Sequence, residues 1–113
     1  MKITLFGLKN CDTCKKALKA LDGQDVTFVD IRSEADLGAK VPAWLAVAGA
    51  DTLVNKRSTT WRNLSEEERN AASGHGAASL LEKNPTLIKR PVIEAEGRIF
   101  VGWSADVKTA LGV

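Results

Sequence analysis

Short runs of alternating apolar and polar residues predict four β-strands, two near each end of the chain. The runs are rich in β-branched residues, which pack well on a pleated surface. The predicted strands cover residues 2–6, 26–31, 92–95 and 98–101. Glu96-Gly97 lies between the last two strands and predicts a tight antiparallel hairpin.

Apolar residues at helical spacing predict a first helix over residues 11–21. Its apolar stripe is formed by Ala17, Leu18 and Leu21, and lysines occupy the solvated face. Asp22-Gly23 is predicted to end the helix, because glycine suits the left-handed position that follows many helices. Strand, helix and strand in succession predict a βαβ unit with parallel strands.

The next part of the chain is predicted to be helical but interrupted. Ser33 begins a helical region that Gly38 and Pro42 break. A separate helix is therefore predicted from Pro42 to Gly49, since proline is favoured in the first helical turn. A short helical turn is predicted at residues 51–55.

The polar and basic segment over residues 56–63, centred on Trp61, is predicted to be a loop. Ser65 then matches the N-cap of a capping box, with Glu68 three residues later as its partner. Further helices are predicted at residues 77–83 and 105–111.

The order of these elements predicts an α/β fold with a four-stranded mixed sheet. A helical insert at about residues 33–84 separates the second strand from the third. We expect a single domain over residues 1–113, since a chain of 113 residues can bury a hydrophobic core without disulfide bonds.

Charge and hydropathy argue against several function classes. The formal net charge of +2 is too small to favour binding to nucleic acid. No apolar run approaches the roughly 20 residues that span a bilayer, and Gly7 and Lys9 interrupt any secretory signal. We therefore predict a cytoplasmic monomer that binds neither nucleic acid nor membranes.

Candidate chemistry is concentrated in the two cysteines, Cys11 and Cys14. Cys11 follows a predicted strand and begins a predicted helix, where unpaired backbone N–H groups and the helix dipole favour a thiolate. Lys15 and Lys16 add positive charge, whereas Asp12 opposes them. Cys14 follows three residues later on the helix, within disulfide range of Cys11. The pair predicts a redox or thiol-transfer site on a thioredoxin-like domain.

Several segments, in a fixed order over nearly the whole chain, resemble those of a known family. They are Lys9-Asn10-Cys11-Asp12-Thr13 with Lys15-Lys16-Ala17, then residues 53–64 (LVNKRSTTWRNL), 88–92 (IKRPV) and 101–104 (VGWS). With these segments the chain resembles the arsenate reductase (ArsC) family, in the branch with YffB-like and Spx-like proteins. The resemblance implies a thioredoxin-like fold with a helical insert.

The resemblance also implies the residues of the site. Cys11 would be the nucleophile, and Arg90 would face it and stabilise both the thiolate and an anionic substrate. The peptide bond between Arg90 and Pro91 would be cis. From its spacing to Cys11, and not from the resemblance, Cys14 is predicted either to resolve the adduct on Cys11 or to pack as a structural residue. The other candidate substrate contacts are Lys9, Asn10, Thr13, Asn55, Arg57 and Pro91.

The chain departs from this family pattern in two ways. Glutaredoxin-linked arsenate reductases of the family use one cysteine and three arginines, and Arg90 matches one of the arginines. Arg57 lies near the second, whose aligned position is Asn55, and Gly102 stands at about the third. The second departure is the Cys-x-x-Cys pair, a feature of Spx-like regulators, which sense oxidation and bind RNA polymerase.

We therefore expect a thiol-dependent oxidoreductase, in the first place a glutathione-dependent reductase of the YffB-like kind. Its partners would be glutathione or glutaredoxin and a small thiol or oxyanion substrate, with glutathione as a co-substrate and no bound cofactor. A metal site is not predicted, because two cysteines and the distant His75 supply too few ligands. The alternatives are a glutaredoxin-linked arsenate reductase and an Spx-like redox-sensing regulator that binds RNA polymerase.

Overall fold

A computed structural model describes residues 2–113, which form two compact units. The first unit comprises the chain up to Ala35 together with Arg90–Val113, and the second is Asp36–Lys89. Strands β1 to β4 are Lys2–Gly7, Asp25–Asp30, Val92–Ala95 and Arg98–Val101. Helices α1 to α7 are Asp12–Ala20, Leu37–Ala48, Ala50–Leu53, Thr59–Arg62, Glu66–Ala71, Ala77–Lys83 and Ala105–Leu111.

Strands β1 to β4 lie in the first unit and form one mixed sheet in the order β2-β1-β3-β4. β1 is parallel to β2 and antiparallel to β3, and β3 is antiparallel to β4. The predicted α/β fold, its βαβ unit and the C-terminal hairpin are confirmed. The bounds of β1 and β2 differ from the predicted ones by one residue.

The core of the first unit lies between one face of the sheet and helices α1 and α7. Alternate residues of β1 and β3 share this face, and Leu5 lies opposite Ile93 in the strand register. The buried cluster consists of Ile3, Leu5, Ala17, Leu21, Ile93, Ala95, Val107 and Leu111. Burial of each larger side chain stabilises the fold by about 1.5–3 kcal/mol. This packing fixes the position of α1 against the central strand.

The first helix after β2 begins later than the sequence predicts. A helical region from Ser33 is wrong, because the Asp30 carboxylate accepts hydrogen bonds from the backbone N–H groups of Arg32 and Ser33, at 2.8 and 3.1 Å. These bonds stabilise a turn instead of a helix. α2 follows Asp36, whose carboxylate accepts a hydrogen bond from the N–H of Ala39 at 3.3 Å.

The predicted break at Gly38 and Pro42 is also wrong, since both residues lie inside α2. Proline removes the hydrogen bond to the carbonyl four residues earlier, which here is the carbonyl of Gly38. Gly38 is exposed, so water can solvate that carbonyl. Val41 and Trp44 are fully buried within the second unit, and their burial compensates for the missing bond.

The segment over residues 56–63 contains a short helix, so the predicted loop is wrong there. The Ser58 hydroxyl accepts a hydrogen bond from the N–H of Trp61 at 3.1 Å and caps the start of α4. At the other end, the Arg69 guanidinium donates to the carbonyls of Trp61 and Arg62, at 3.2 and 2.8 Å. The same guanidinium lies 5.8 Å from the centre of the Trp61 ring. A residue of the next helix therefore completes α4.

The other helical predictions are confirmed. α3 supplies the helical turn predicted near residues 51–55, and α6 and α7 have the predicted bounds. Ser65 and Glu68 form the predicted capping box, with hydrogen bonds of 3.1 and 3.0 Å. Within residues 2–113, no helix has the length and apolar character needed to cross a membrane.

Candidate active site

Cys11 occupies the N-cap of α1, at the end of the loop that follows the central strand. Its backbone is extended, and its carbonyl accepts the first helical hydrogen bond from the N–H of Lys15 at 3.0 Å. Its own N–H donates to the carbonyl of Leu8 at 3.2 Å, which closes the loop. The Cys11 side chain is partly exposed, so a thiolate there can reach a substrate.

The surroundings of the Cys11 sulfur favour the thiolate. Burial by itself raises the pKa of the thiol, but hydrogen bonds from the backbone N–H and the thiol of Cys14 and from the Arg90 guanidinium lower it. The positive charge of Arg90 acts in the same direction, so the pKa of Cys11 lies below its ordinary value of 9.0. The backbone N–H of Cys14 lowers the pKa of Cys11 although its contact with the Cys11 sulfur does not meet the geometry of a side-chain cap hydrogen bond.

Cys14 is the opposite kind of thiol. Its side chain is fully buried in the first turn of α1. Burial raises the pKa of the Cys14 thiol to about 11, an effect that the neighbouring Cys11 sulfur reinforces and that the Leu8 N–H and Arg90 oppose. Both cysteines are free thiols here. At neutral pH, Cys14 therefore stays protonated and can donate a hydrogen bond to the Cys11 thiolate.

Arg90 reaches this site because of the strand order. It lies two residues before β3, and β3 pairs with β1 so that Val92 is opposite Phe6. The segment before β3 therefore lies next to the loop that follows β1. The Arg90–Pro91 peptide bond is cis, as the family resemblance implies. Pro91 is buried, and its carbonyl accepts a hydrogen bond from the N–H of Gly102 at 2.8 Å.

Lys9, Asn10 and Thr13 surround Cys11 in the sequence and are exposed in the structure. Lys9 and Asn10 form the turn between β1 and α1, and Thr13 lies in the first turn of the helix. They are therefore accessible to a substrate that approaches Cys11.

Asn55 and Arg57 belong to the second unit, where Asn55 organises a loop. The Asn55 side-chain oxygen accepts a hydrogen bond from the N–H of Arg57 at 3.1 Å, and its carbonyl accepts one from the Ser58 hydroxyl at 2.7 Å. The Asn55 N–H donates to the carbonyl of Leu87 at 2.8 Å. These bonds explain asparagine at this position without a substrate contact.

Arg57 is exposed and lines an open cleft of about 350 Å³. The cleft is lined by Asp51, Thr52, Val54, Asn55, Lys56, Arg57 and Lys89. Sequence reasoning placed Lys56 in a basic segment but missed Lys89 as part of this basic surface. Lys89 joins the cleft because Val54 and Ile88 form an antiparallel bridge, a long-range pairing that no local pattern indicates.

Sequence reasoning also missed Gly7 and the backbone of Leu8, which contact the Cys14 sulfur. Glycine at the end of a strand is the one signal that indicates such a close approach. Across residues 2–113, no three His, Cys, Asp or Glu side chains are grouped closely enough to hold a metal ion.

The sequence matches the ArsC family pattern over residues 6–110. A protein of unassigned function from Haemophilus influenzae is 43% identical, and the match covers 90% of this chain and 91% of that protein. The global transcriptional regulator Spx of Staphylococcus saprophyticus is 30% identical, over 92% of this chain and 82% of the regulator.

Solved structures agree with the sequence comparison. The YFFB protein superposes with a TM-score of 0.82 and is 34% identical, with 96% of this chain and 97% of that chain covered. An arsenate reductase (ArsC) related protein from Brucella melitensis gives a TM-score of 0.77 at 32% identity, with 100% of this chain and 97% of that chain covered. Because the family pattern matches nearly the whole length of this chain and these relatives have the same fold, the chain belongs to the ArsC family.

Proposed function

We propose that this ArsC-family chain is a glutathione-dependent thiol reductase, in which Cys11 is the nucleophile and Arg90 stabilises its thiolate. The chain has the fold of thiol-dependent oxidoreductases of this family. The observation that carries the proposal is the asymmetry of the two cysteines. One thiol is partly exposed with a lowered pKa, and the other is buried with a raised pKa.

The reaction begins when the Cys11 thiolate attacks one sulfur of a disulfide substrate. A new sulfur–sulfur bond forms, the substrate's own disulfide breaks, and one substrate half leaves as a thiolate that takes a proton from water. Cys14 then loses its proton and attacks the Cys11 sulfur, which releases the second half as a thiol. Two glutathione molecules reduce the resulting Cys11–Cys14 disulfide and leave as oxidised glutathione.

Arg90 has two tasks in this scheme. Its guanidinium lowers the pKa of the Cys11 thiol and so favours the thiolate, and it can also pair with a carboxylate of the incoming substrate or of glutathione. The helix start at Cys11 adds the positive end of the α1 dipole. Together these groups favour an anionic, thiol-containing co-substrate.

Reduction of arsenate is a second candidate within the same class, and the similarity to the arsenate reductase related protein from Brucella melitensis favours it. The family's third oxyanion arginine aligns at about Gly102, however. A glycine offers no charged side chain to an oxyanion. The positive φ of 86° at Gly102 also disfavours an arginine there. Turnover of arsenate with glutathione and glutaredoxin would place this activity first.

A regulatory function is the third candidate, favoured by the cysteine pair and the 30% identity to the Spx regulator. In that case the Cys11–Cys14 disulfide would switch binding to RNA polymerase. A pulldown of polymerase subunits with oxidised protein, repeated with Cys11→Ser, tests it. Binding that depends on oxidation and on Cys11 would replace the reductase proposal.

The reductase proposal is tested by treating the protein with oxidised glutathione and measuring intact masses. We expect no lasting adduct on the parent protein, because Cys14 displaces glutathione and leaves the internal disulfide. Cys14→Ser should retain one glutathione on Cys11, and Cys11→Ser should acquire none. Turnover of a glutathione mixed disulfide with glutathione as reductant should be lost in Cys11→Ser. A Cys11→Ser variant with full turnover, or Cys11 that does not react, would refute the proposal.

A further inference from the structure

Gly7, the last residue of β1, lies directly against the sulfur of Cys14. A Cβ atom placed on Gly7 would be 2.5 Å from Cys14 Sγ and 3.4 Å from Cys14 Cβ. It would also be 3.5 Å from Cδ2 of Leu5, an ordinary contact distance. Carbon and sulfur atoms that are not bonded do not approach to 2.5 Å, so any side chain at residue 7 would displace the Cys14 sulfur.

The backbone conformation at Gly7 does not require glycine. Its φ is not among the positive values that occur at other glycines of the chain, such as Gly23 and Gly97. Gly7 is an ordinary strand residue, paired with Asp30 of β2, and its carbonyl accepts a hydrogen bond from the N–H of Ile31 at 2.9 Å. The missing side chain therefore matters because of the space that it leaves.

The same short segment holds the Cys14 sulfur in a second way. The backbone N–H of Leu8 points to the Cys14 sulfur, and Leu8 is buried. The Leu8 carbonyl accepts the N–H of Cys11 at 3.2 Å, so this residue connects both cysteines through its backbone. Hydrogen bonds of the sheet fix the position of the Gly7 backbone, and the Cys14 sulfur packs against this backbone.

We propose that Gly7 is a positioning residue, which holds the Cys14 sulfur within reach of Cys11 by leaving space for it against the end of β1. The inference rests on the proposed function of the cysteine pair and adds a residue to it. The two atoms nearest to a Cβ placed on Gly7 both belong to Cys14, so we assign its effect to Cys14.

Replacement of Gly7 by alanine should weaken both effects of Cys14 on Cys11. A displaced Cys14 thiol donates less effectively to the Cys11 thiolate, so the pH–rate profile for alkylation of Cys11 should move to higher pH. Less thiolate is then present at neutral pH, but the alkylation rate should fall only roughly twofold, because the higher nucleophilicity of a more basic thiolate offsets part of the loss. Closure of the Cys11–Cys14 disulfide should slow roughly tenfold or more, because small misplacements of reacting atoms are costly.

The experiment compares Gly7→Ala, Cys14→Ala, the double variant Gly7→Ala/Cys14→Ala and the control Gly74→Ala. A Cβ atom on Gly74 would meet no atom within 4 Å beyond its chain neighbours, and the φ of Gly74 is not positive. Gly74→Ala therefore reports the general effect of replacing glycine by alanine. Alkylation of Cys11 is followed by intact mass as a function of pH, and disulfide closure is followed after addition of oxidised glutathione.

We expect Gly7→Ala to shift the alkylation profile in the parent and to leave it unchanged in the Cys14→Ala background. A folded Gly7→Ala protein with the parent's alkylation profile and closure rate would overturn the inference, as would an equal shift in both backgrounds. If Gly7→Ala does not fold, the double variant decides. If the double variant folds, the Cβ atom at residue 7 and the Cys14 sulfur compete for the same space, as we propose. If the double variant is equally unfolded, the proposal is refuted. A parent protein without reductase activity would count against the proposed function alone, since alkylation needs no turnover.

Discussion

Removal of the Arg90 charge is the most direct perturbation of the proposed nucleophile. Arg90→Gln keeps a polar side chain but removes the positive charge and the charge-assisted hydrogen bond to Cys11. Hydrogen bonds to charged groups contribute about 1.5–3 kcal/mol to stability. Cys11 and Arg90 are both partly exposed, so water screens their interaction. We therefore expect Arg90→Gln to reduce the stabilisation of the Cys11 thiolate by about 1 kcal/mol. That loss lowers the ratio of thiolate to thiol about fivefold at a given pH.

The assay is the rate of Cys11 alkylation as a function of pH, measured in a Cys14→Ala background so that only one thiol reacts. Arg90→Gln raises the pKa of Cys11, so both the midpoint and the plateau of the profile should move to higher pH. Arg98→Gln is the matched control, because Arg98 lies at the other end of the β3–β4 hairpin, over the Phe100 ring. Equal profiles for the parent and Arg90→Gln would refute the activation argument.

Two further predictions concern pH and the core. The pKa of Cys14 rises from an ordinary 9.0 to about 11 on folding, so the folded state holds this proton more tightly. The resulting stability is present below pH 9 and is lost towards pH 11, by at most about 1.4 kcal/mol per pH unit. Denaturant unfolding should show this loss in the parent and not in Cys14→Ala. Ile93→Ala should lower the free energy of unfolding by about 2–5 kcal/mol because it leaves a cavity opposite Leu5, and the exposed Val47→Ala should change it by less than about 0.5 kcal/mol.

The elements that the sequence predicts correctly are those whose signals are local. The hairpin turn at Glu96-Gly97 and the capping box at Ser65 each depend on a few neighbouring residues. Cys11 at a helix start is similarly visible, because a strand that ends in glycine, a short turn and a helix follow one another within a few residues. Side-chain chemistry and spacing are sufficient in these places.

Two of the errors arise where contacts between elements distant in the sequence decide the local structure, whereas the error at Ser33 has a local cause, the turn formed by the Asp30 carboxylate. A proline usually lies in the first turn of a helix. Pro42 instead lies inside α2, because the burial of Trp44 in the second unit stabilises the longer helix. The segment before Ser65 forms α4 because Arg69, from the following helix, completes its C-terminal end. Arg90 could be assigned to the cysteine only through the family resemblance, since its approach depends on the pairing of β3 with β1. No window of neighbouring residues contains that information.

The position of Arg90 in the sequence has a consequence for the life of the newly made protein. The arginine that lies beside Cys11 is synthesised about 80 residues after it. The central strand must also wait for its antiparallel neighbour, as the hydrogen bond between Lys2 and Glu96 joins residues 94 positions apart. In a nascent or misfolded copy the pKa of Cys11 is therefore ordinary, and it is lowered only when the whole chain has folded. The pH dependence of Cys11 alkylation would thus report completed folding in a cell extract.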